Sequence, residues 1–199
     1  MMTREEYFES LRKLNLKVYM FGKRVENPVD DPVIRPSLNS IGMTYELANQ
    51  PEYEDLMTAT SSLNGQKVNR FTHLHQSTED LVKKVKMLRL LGQKTGSCFQ
   101  RCVGMDANNA VFSTTYEIDQ AHGTNYHENF KKFLNDVQLK DLVVDGAMTD
   151  PKGDRSLSPS KQPDPDCYLL VVERRPVGVV VGGAKAHQTG IVNSHEVLV

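Results

Sequence analysis

The sequence contains no tryptophan and only three cysteines among its 199 residues, and it shows no surplus of either charge, with 24 Lys and Arg against 25 Asp and Glu. Each shortage excludes something. A net charge of -1 provides no basic stripe of the kind that grips phosphate backbones, so no nucleic acid is expected as a partner. The longest apolar run, Cys-Tyr-Leu-Leu-Val-Val at 167–172, falls far short of the ~20 residues a membrane-spanning helix needs, so no membrane is expected either. The opening Met1-Met2-Thr3-Arg4-Glu5-Glu6 lacks the basic-then-apolar order of a secretion signal. Three cysteines in such a chain do not make a disulfide framework. With 39% hydrophobic and 25% charged residues, the composition predicts a cytoplasmic globular protein.

The first two-thirds reads as helical. Thr3 and Glu6 form a capping box ahead of Tyr7, Phe8, Leu11 and Leu14 at helical spacing. An extended run follows at 17–22, then the breakers Pro28, Pro32 and Pro36. A second helical zone covers 37–57, interrupted near Pro51, and Asn64-Gly65 is a turn. Ser77 with Asp80 opens the strongest helix, with Leu81, Val85, Leu88 and Leu91 as its core stripe. Glu79, Lys83, Lys84 and Lys86 form its solvated edge. The pattern continues, bent at Gly92 or Gly96, through Cys98 and Cys102. Residues 108–120 are helical and end at Gly123. Asn125 and Glu128 form another capping pair, ahead of inward-facing Phe130, Phe133, Leu134 and Val137.

After Asp141 the pattern changes to strands. Residues 142–144 form a short one, 145–166 a long loop, and 168–173 with 179–181 a hairpin around Arg175-Pro176-Val177-Gly178. Residues 196–199 begin another strand. Helices followed by strands predict an α+β protein with a helical domain over 1–141 and a β part over 142–199. Because the last strand has no successor, the β part is expected to be incomplete, with an open apolar edge.

Three features carry chemistry. On a helix, Cys98 and Cys102 would share one face with Cβ atoms roughly 5–6 Å apart, able to grip one metal centre and ill-suited to a disulfide. An iron–sulfur cluster or a zinc ion takes about four ligands, and no His completes a known spacing. Metal ligation and two small buried residues therefore both stand as readings of the spacing. The loop Met148-Thr149-Asp150-Pro151-Lys152-Gly153-Asp154-Arg155 combines turn residues, a hydroxyl and two cations, which suits a phosphate or a polar flavin edge as well as it suits a solvated connector. The small residues Gly182, Gly183 and Ala184 precede His187, Gln188 and Thr189, which offer hydrogen bonds at a strand end. Two apparent motifs are dismissed. Gly92-Gln93-Lys94-Thr95 has Gln93 and Leu88 where a P-loop needs glycines, and His73-Leu74-His75 has no further ligand at metal spacing.

Beyond these patterns, Ser10-Leu11-Arg12-Lys13-Leu14-Asn15, Val18-Tyr19-Met20-Phe21-Gly22, Met43-Thr44-Tyr45-Glu46-Leu47-Ala48 and Leu74-His75-Gln76-Ser77-Thr78 resemble the 4-hydroxybutyryl-CoA dehydratase/vinylacetyl-CoA delta-isomerase family. So do residues 92–95, 98–106, 111–120, 145–155 and 183–190. The family shares its architecture with the flavin-dependent 4-hydroxyphenylacetate 3-hydroxylases, and the resemblance covers the N-terminal portion of the family pattern only. It implies an N-terminal helical domain of the acyl-CoA dehydrogenase-like fold, followed by the opening strands of a truncated middle β-barrel. Full-length members add a C-terminal bundle that builds a homotetramer.

The activity implied is FAD- and [4Fe-4S]-dependent dehydration of 4-hydroxybutyryl-CoA to crotonyl-CoA, with vinylacetyl-CoA isomerisation, by a radical mechanism. Carried over residue by residue, Cys98 and Cys102 match two of the four cluster ligands. Met148, Thr149, Asp150, Pro151, Lys152, Gly153, Asp154 and Arg155 match a flavin-contacting loop. His187, Gln188 and Thr189 match a second flavin segment, with Thr189 as the catalytic hydroxyl near the flavin N5. Cys167 matches no ligand and is structural. The implied partners are an acyl-CoA substrate and a complementary C-terminal half or chain, without which negligible activity is expected. Two rivals remain: a flavin-dependent aromatic hydroxylase, which needs no cluster, and a non-catalytic truncated or assembly module.

Overall fold

The computed structural model describes residues 1–199, which form six α-helices and eight short strands. Helix α1 (Arg4–Arg12) is closed at its start by the expected capping box: Thr3 Oγ1 accepts the Glu6 N–H at 3.1 Å, and the Glu6 carboxylate accepts the Thr3 N–H at 2.7 Å. Its Tyr7, Phe8 and Leu11 pack with Leu38, Ile41 and Tyr45 of α2 (Arg35–Ala48). The Tyr7 and Tyr45 rings stack with centroids 4.7 Å apart. Between them lies the hairpin of β1 (Val18–Met20) and β2 (Lys23–Val25). Beyond α2 the chain breaks at Pro51 as expected, into a short 3-10 turn and α3 (Glu54–Met57). Strands β3 (Thr58–Thr60) and β4 (Lys67–Asn69) then pair antiparallel.

Helices α4 (Thr78–Thr95), α5 (Cys102–His122) and α6 (Tyr126–Lys140) complete the helical part. One core joins Leu47, Met57, Phe71, Met87, Leu91, Phe99 and Met105; another joins Leu74, Phe130, Leu134, Val137 and Val144. Strand β5 (Val144–Gly146) pairs with β8 (Glu196–Leu198). Helix α5 passes so close to β5 that a Cβ on Gly104 would overlap the Val144 carbonyl, so only glycine fits there. By packing, residues 1–145 and 190–198 form one unit. Residues 146–189 with Val199 form a second, built on the antiparallel hairpin of β6 (Leu170–Arg175) and β7 (Gly178–Gly182) with a bulge between Val171 and Glu173.

Three local expectations are corrected. Helix α4 does not run on through the cysteines: it stops at Thr95, with Gly96 in the left-handed conformation that ends helices. The apolar stripe of α4 faces inward only in its second half: Leu88 and Leu91 pack into the core, whereas Leu81 and Val85 are 48% and 64% exposed. The row that faces inward is Asp80, Lys84, Met87 and Leu91, whose first two turns carry charges satisfied by partners. Asp80 meets Arg70 and His73, each at 3.2 Å, and Lys84 meets Asp106. Helix α6 is not capped by Asn125 and Glu128. Asp119, from the last turn of α5, accepts the Tyr126 and His127 N–H groups, each at 2.9 Å, while Glu128 pairs with Lys131 at 2.7 Å.

Candidate functional site

The two cysteines of the expected metal pair flank a tight turn rather than lying along a helix. Cys98 is exposed in the connector after α4, and Cys102, half-buried, is the first residue of α5. Between them the Phe99 carbonyl accepts the Arg101 N–H at 2.8 Å around Gln100, whose φ of 59° is costly for a residue with a side chain. That backbone persists because all three inner side chains are buried and anchored in different directions. Phe99 packs against Phe71, with ring centroids 5.8 Å apart. Gln100 Oε1 accepts from Asn193 Nδ2 at 3.2 Å and lies against Gly190, where a Cβ would sit only 3.1 Å away. Arg101 reaches Thr44 Oγ1 at 3.0 Å and the Leu142 carbonyl at 3.4 Å, with its guanidinium 4.7 Å from the Tyr45 ring centre and 5.0 Å from that of Phe71. Burial pushes the Cys102 thiol up, and the neighbouring Cys98 adds to the rise.

Behind the turn lies a buried polar layer. Asp141, in the left-handed conformation after α6, accepts the Met2 N–H at 3.0 Å and stands 3.8 Å from Arg101. Burial raises its carboxyl to about 6 against the pull of Arg101. Tyr45 donates to the Asp141 carbonyl at 2.7 Å, and Tyr7 to the Asn193 carbonyl at 2.6 Å. Asn193 is buried with its amide nitrogen also 2.8 Å from Ser37 Oγ, so it ties the residues after Gly190 to the cysteine turn. No sequence pattern pointed to Gln100, Arg101 or Asn193. A non-glycine residue at positive φ leaves no mark on periodicity, and a buried Arg reads as a surface one until its acceptors are known.

The second unit holds the two loop segments expected to contact a flavin, and it brings them together. The Ala186 N–H donates to the Thr149 carbonyl at 2.9 Å, Lys185 pairs with Asp150 at 2.7 Å, and Gln188 Nε2 reaches the Thr149 carbonyl at 3.4 Å. Farther along the same loop, the Asp154 N–H and carbonyl both bond the Gln162 amide at 2.8 Å. Gly153 lies against that amide, with Pro151 two residues before it. His187 adopts a φ of 58°, and Thr189 donates its N–H to the His187 carbonyl at 2.9 Å. The hydroxyls of Thr149 and Thr189 are exposed and bonded to nothing in the chain, Met148 is exposed, and Lys152 and Arg155 are exposed without an ion pair. This edge therefore offers free hydroxyls and two free cations. No group of three or more His, Cys, Asp or Glu side chains is arranged to hold a metal.

The family model described as 4-hydroxyphenylacetate 3-hydroxylase N terminal matches residues 3–199. The chain belongs to that family. Among its relatives, the 4-hydroxybutyryl-CoA dehydratase/vinylacetyl-CoA-Δ-isomerase of Clostridium aminobutyricum is 69% identical over 98% of the chain and 40% of its own length. An FADH(2)-dependent monooxygenase of Burkholderia cepacia is 26% identical over 96% of the chain and 38% of its own length. The solved structure of an oxygen-tolerant archaeal 4-hydroxybutyryl-CoA dehydratase from N. maritimus superposes with a TM-score of 0.93 at 57% identity, over 97% of this chain and 38% of that one. The chain thus spans about two-fifths of the length of the relatives it matches.

Proposed function

We propose that this chain is the N-terminal part of an FAD- and [4Fe-4S]-dependent 4-hydroxybutyryl-CoA dehydratase with vinylacetyl-CoA isomerase activity, working by a radical mechanism. The observation that carries the reading is the 69% identity across 98% of the chain to a protein of that name. The mixed helix and strand fold is read as the helical domain of the acyl-CoA dehydrogenase-like architecture with the first strands of its middle β-barrel. The remaining barrel, the C-terminal bundle and the homotetramer belong to a complementary part of the protein.

The residues present fit the two cofactors, one of them in part. The free cations Lys152 and Arg155 and the free hydroxyls of Thr149 and Thr189 match the phosphates and polar ring edge of FAD; the name of the Burkholderia cepacia relative supports a flavin. Cys98 and Cys102 supply soft thiolate donors of the type that hold iron, but only half of a cubane's set. When bound, the flavin supplies one-electron exchange and the cluster a Lewis-acidic iron. Within this chain, Thr189 would offer a hydroxyl for a hydrogen bond to the flavin, and the 148–155 loop with His187 and Gln188 would hold and orient it. The cysteine turn presents its two sulfurs on a rigid base.

The test is reconstitution. The chain alone is expected to turn over no 4-hydroxybutyryl-CoA. Co-expressed with the C-terminal three-fifths of the Clostridium aminobutyricum relative, it is expected to bind FAD, iron and sulfide and to form crotonyl-CoA anaerobically. A complex that binds flavin but no iron, and hydroxylates a phenol with reduced flavin and oxygen, would instead establish the aromatic hydroxylase. A complex that binds neither would leave an assembly module.

A further inference from the structure

We propose that Arg101 is the positioning residue of the Cys98/Cys102 pair, fixing the separation of the two sulfurs through the shape of its guanidinium rather than through its charge. The side chain is 2% exposed, a costly place for a cation. The Asp141 carboxylate lies 3.8 Å away, and its oxygen nearest to Arg101 makes no hydrogen bond. A tight salt bridge to Asp141 is therefore not what holds the group there. What holds it is planar and directional: the Tyr45 and Phe71 rings, the Thr44 hydroxyl and the Leu142 carbonyl. The same residue closes the turn with its own backbone N–H, accepts the Met105 N–H to start α5, and directly precedes Cys102. Side-chain orientation is thus converted into backbone position at the point where the two cysteines diverge. A lysine would keep the charge and lose the fork.

The inference rests on the reading of Cys98 and Cys102 as paired ligands, but its test needs no iron. Phenylarsine oxide condenses with two thiols held at the right distance, forming two As–S bonds and releasing one water. It is titrated anaerobically into the reduced 199-residue chain carrying Cys167→Ser, with Cys98→Ser as the control that abolishes bridging. Arg101→Lys is expected to weaken arsenical binding by about tenfold or more, and Thr44→Val by about threefold, with thermal midpoint and near-ultraviolet dichroism recording that each variant is folded. Binding by folded Arg101→Lys within about twofold of the parent overturns the proposal. If Arg101→Lys does not fold, Thr44→Val decides in the same way. A parent chain that binds no better than Cys98→Ser also overturns it. Loss of arsenical binding in the variants, together with a reconstituted protein that takes up no iron, would sink the dehydratase reading and leave this one standing.

Discussion

The Val143 backbone N–H donates to Nδ1 of His195 at 2.9 Å, so that nitrogen carries no proton and Nε2, 2.7 Å from Ser10 Oγ, carries the only one. A protonated ring would lose the Val143 bond. Burial, with a smaller contribution from Arg101, accordingly lowers His195 to about 4.

Asp141 titrates in the opposite sense within the same layer, and the pH dependence of stability follows from the pair. His195 is depressed from an unfolded value of ~6.5, so its contribution is complete above that pH and lost as pH falls through about 4. Asp141 is raised to about 6 from ~3.9, so its contribution is complete below ~3.9 and lost as pH rises through about 6. Between about pH 4 and 6 the two slopes oppose, so removing either group should tilt the curve of urea midpoint against pH relative to the parent chain. Relative to the parent, Asp141→Asn should make stability rise with pH over that window by ~2–3 kcal/mol more, and His195→Gln should make it rise less. Parallel curves for the two variants would show that the groups do not titrate this way.

At the α5–α6 junction, Asp119→Ala is expected to cost ~1–2 kcal/mol, because it strips the acceptor from the Tyr126 and His127 N–H groups and from Thr124. Asn125→Ala should stay within about 0.5 kcal/mol, since Asn125 makes no side-chain cap. Urea denaturation of the two variants side by side decides between them; equal losses would reassign the cap.

Gly104→Ala adds one methyl where α5 meets the Val144 carbonyl. Backbone cannot yield as a side-chain tip does, so a loss of ~1–3 kcal/mol is expected despite the better helix propensity of alanine. A gain in melting temperature would mean that the helix and strand are farther apart than described.

The two rows of α4 should separate cleanly. Met87→Ala, at a fully buried position, is expected to cost ~2–5 kcal/mol in the isolated chain, and Val85→Ala less than about 0.5. Comparable losses would return Val85 to the inward face.

That last contrast shows what could be read from the sequence. Local signals acting over three or four residues were legible: the Thr3/Glu6 box, Ser77 accepting the Asp80 N–H, the break at Pro51 and the hairpin around Pro176 and Val177. The α+β character followed from them. The inward row of α4 was not legible, because Asp80 and Lys84 count as surface residues until Arg70, His73 and Asp106 are known to meet them. Nor was the cysteine turn, because its geometry is enforced by Thr44, Leu142 and Asn193, far away in the sequence. The two loop segments of the second unit were singled out separately; two of the bonds that join them end on the Thr149 backbone carbonyl, and the Lys185–Asp150 pair spans residues with no regular spacing, so no side-chain pattern reports the contact.

The hairpin of β6 and β7 carries a practical consequence. Every residue of β6 is exposed, and Val171, Val172, Val179 and Val181 present apolar surface on a ribbon that pairs with no further strand. Such a ribbon can recruit its own kind edge to edge, so the chain on its own should precipitate with concentration and be a ready client for holding chaperones. Lysine in place of Val172 or Val179 should keep it in solution without touching the cysteine turn.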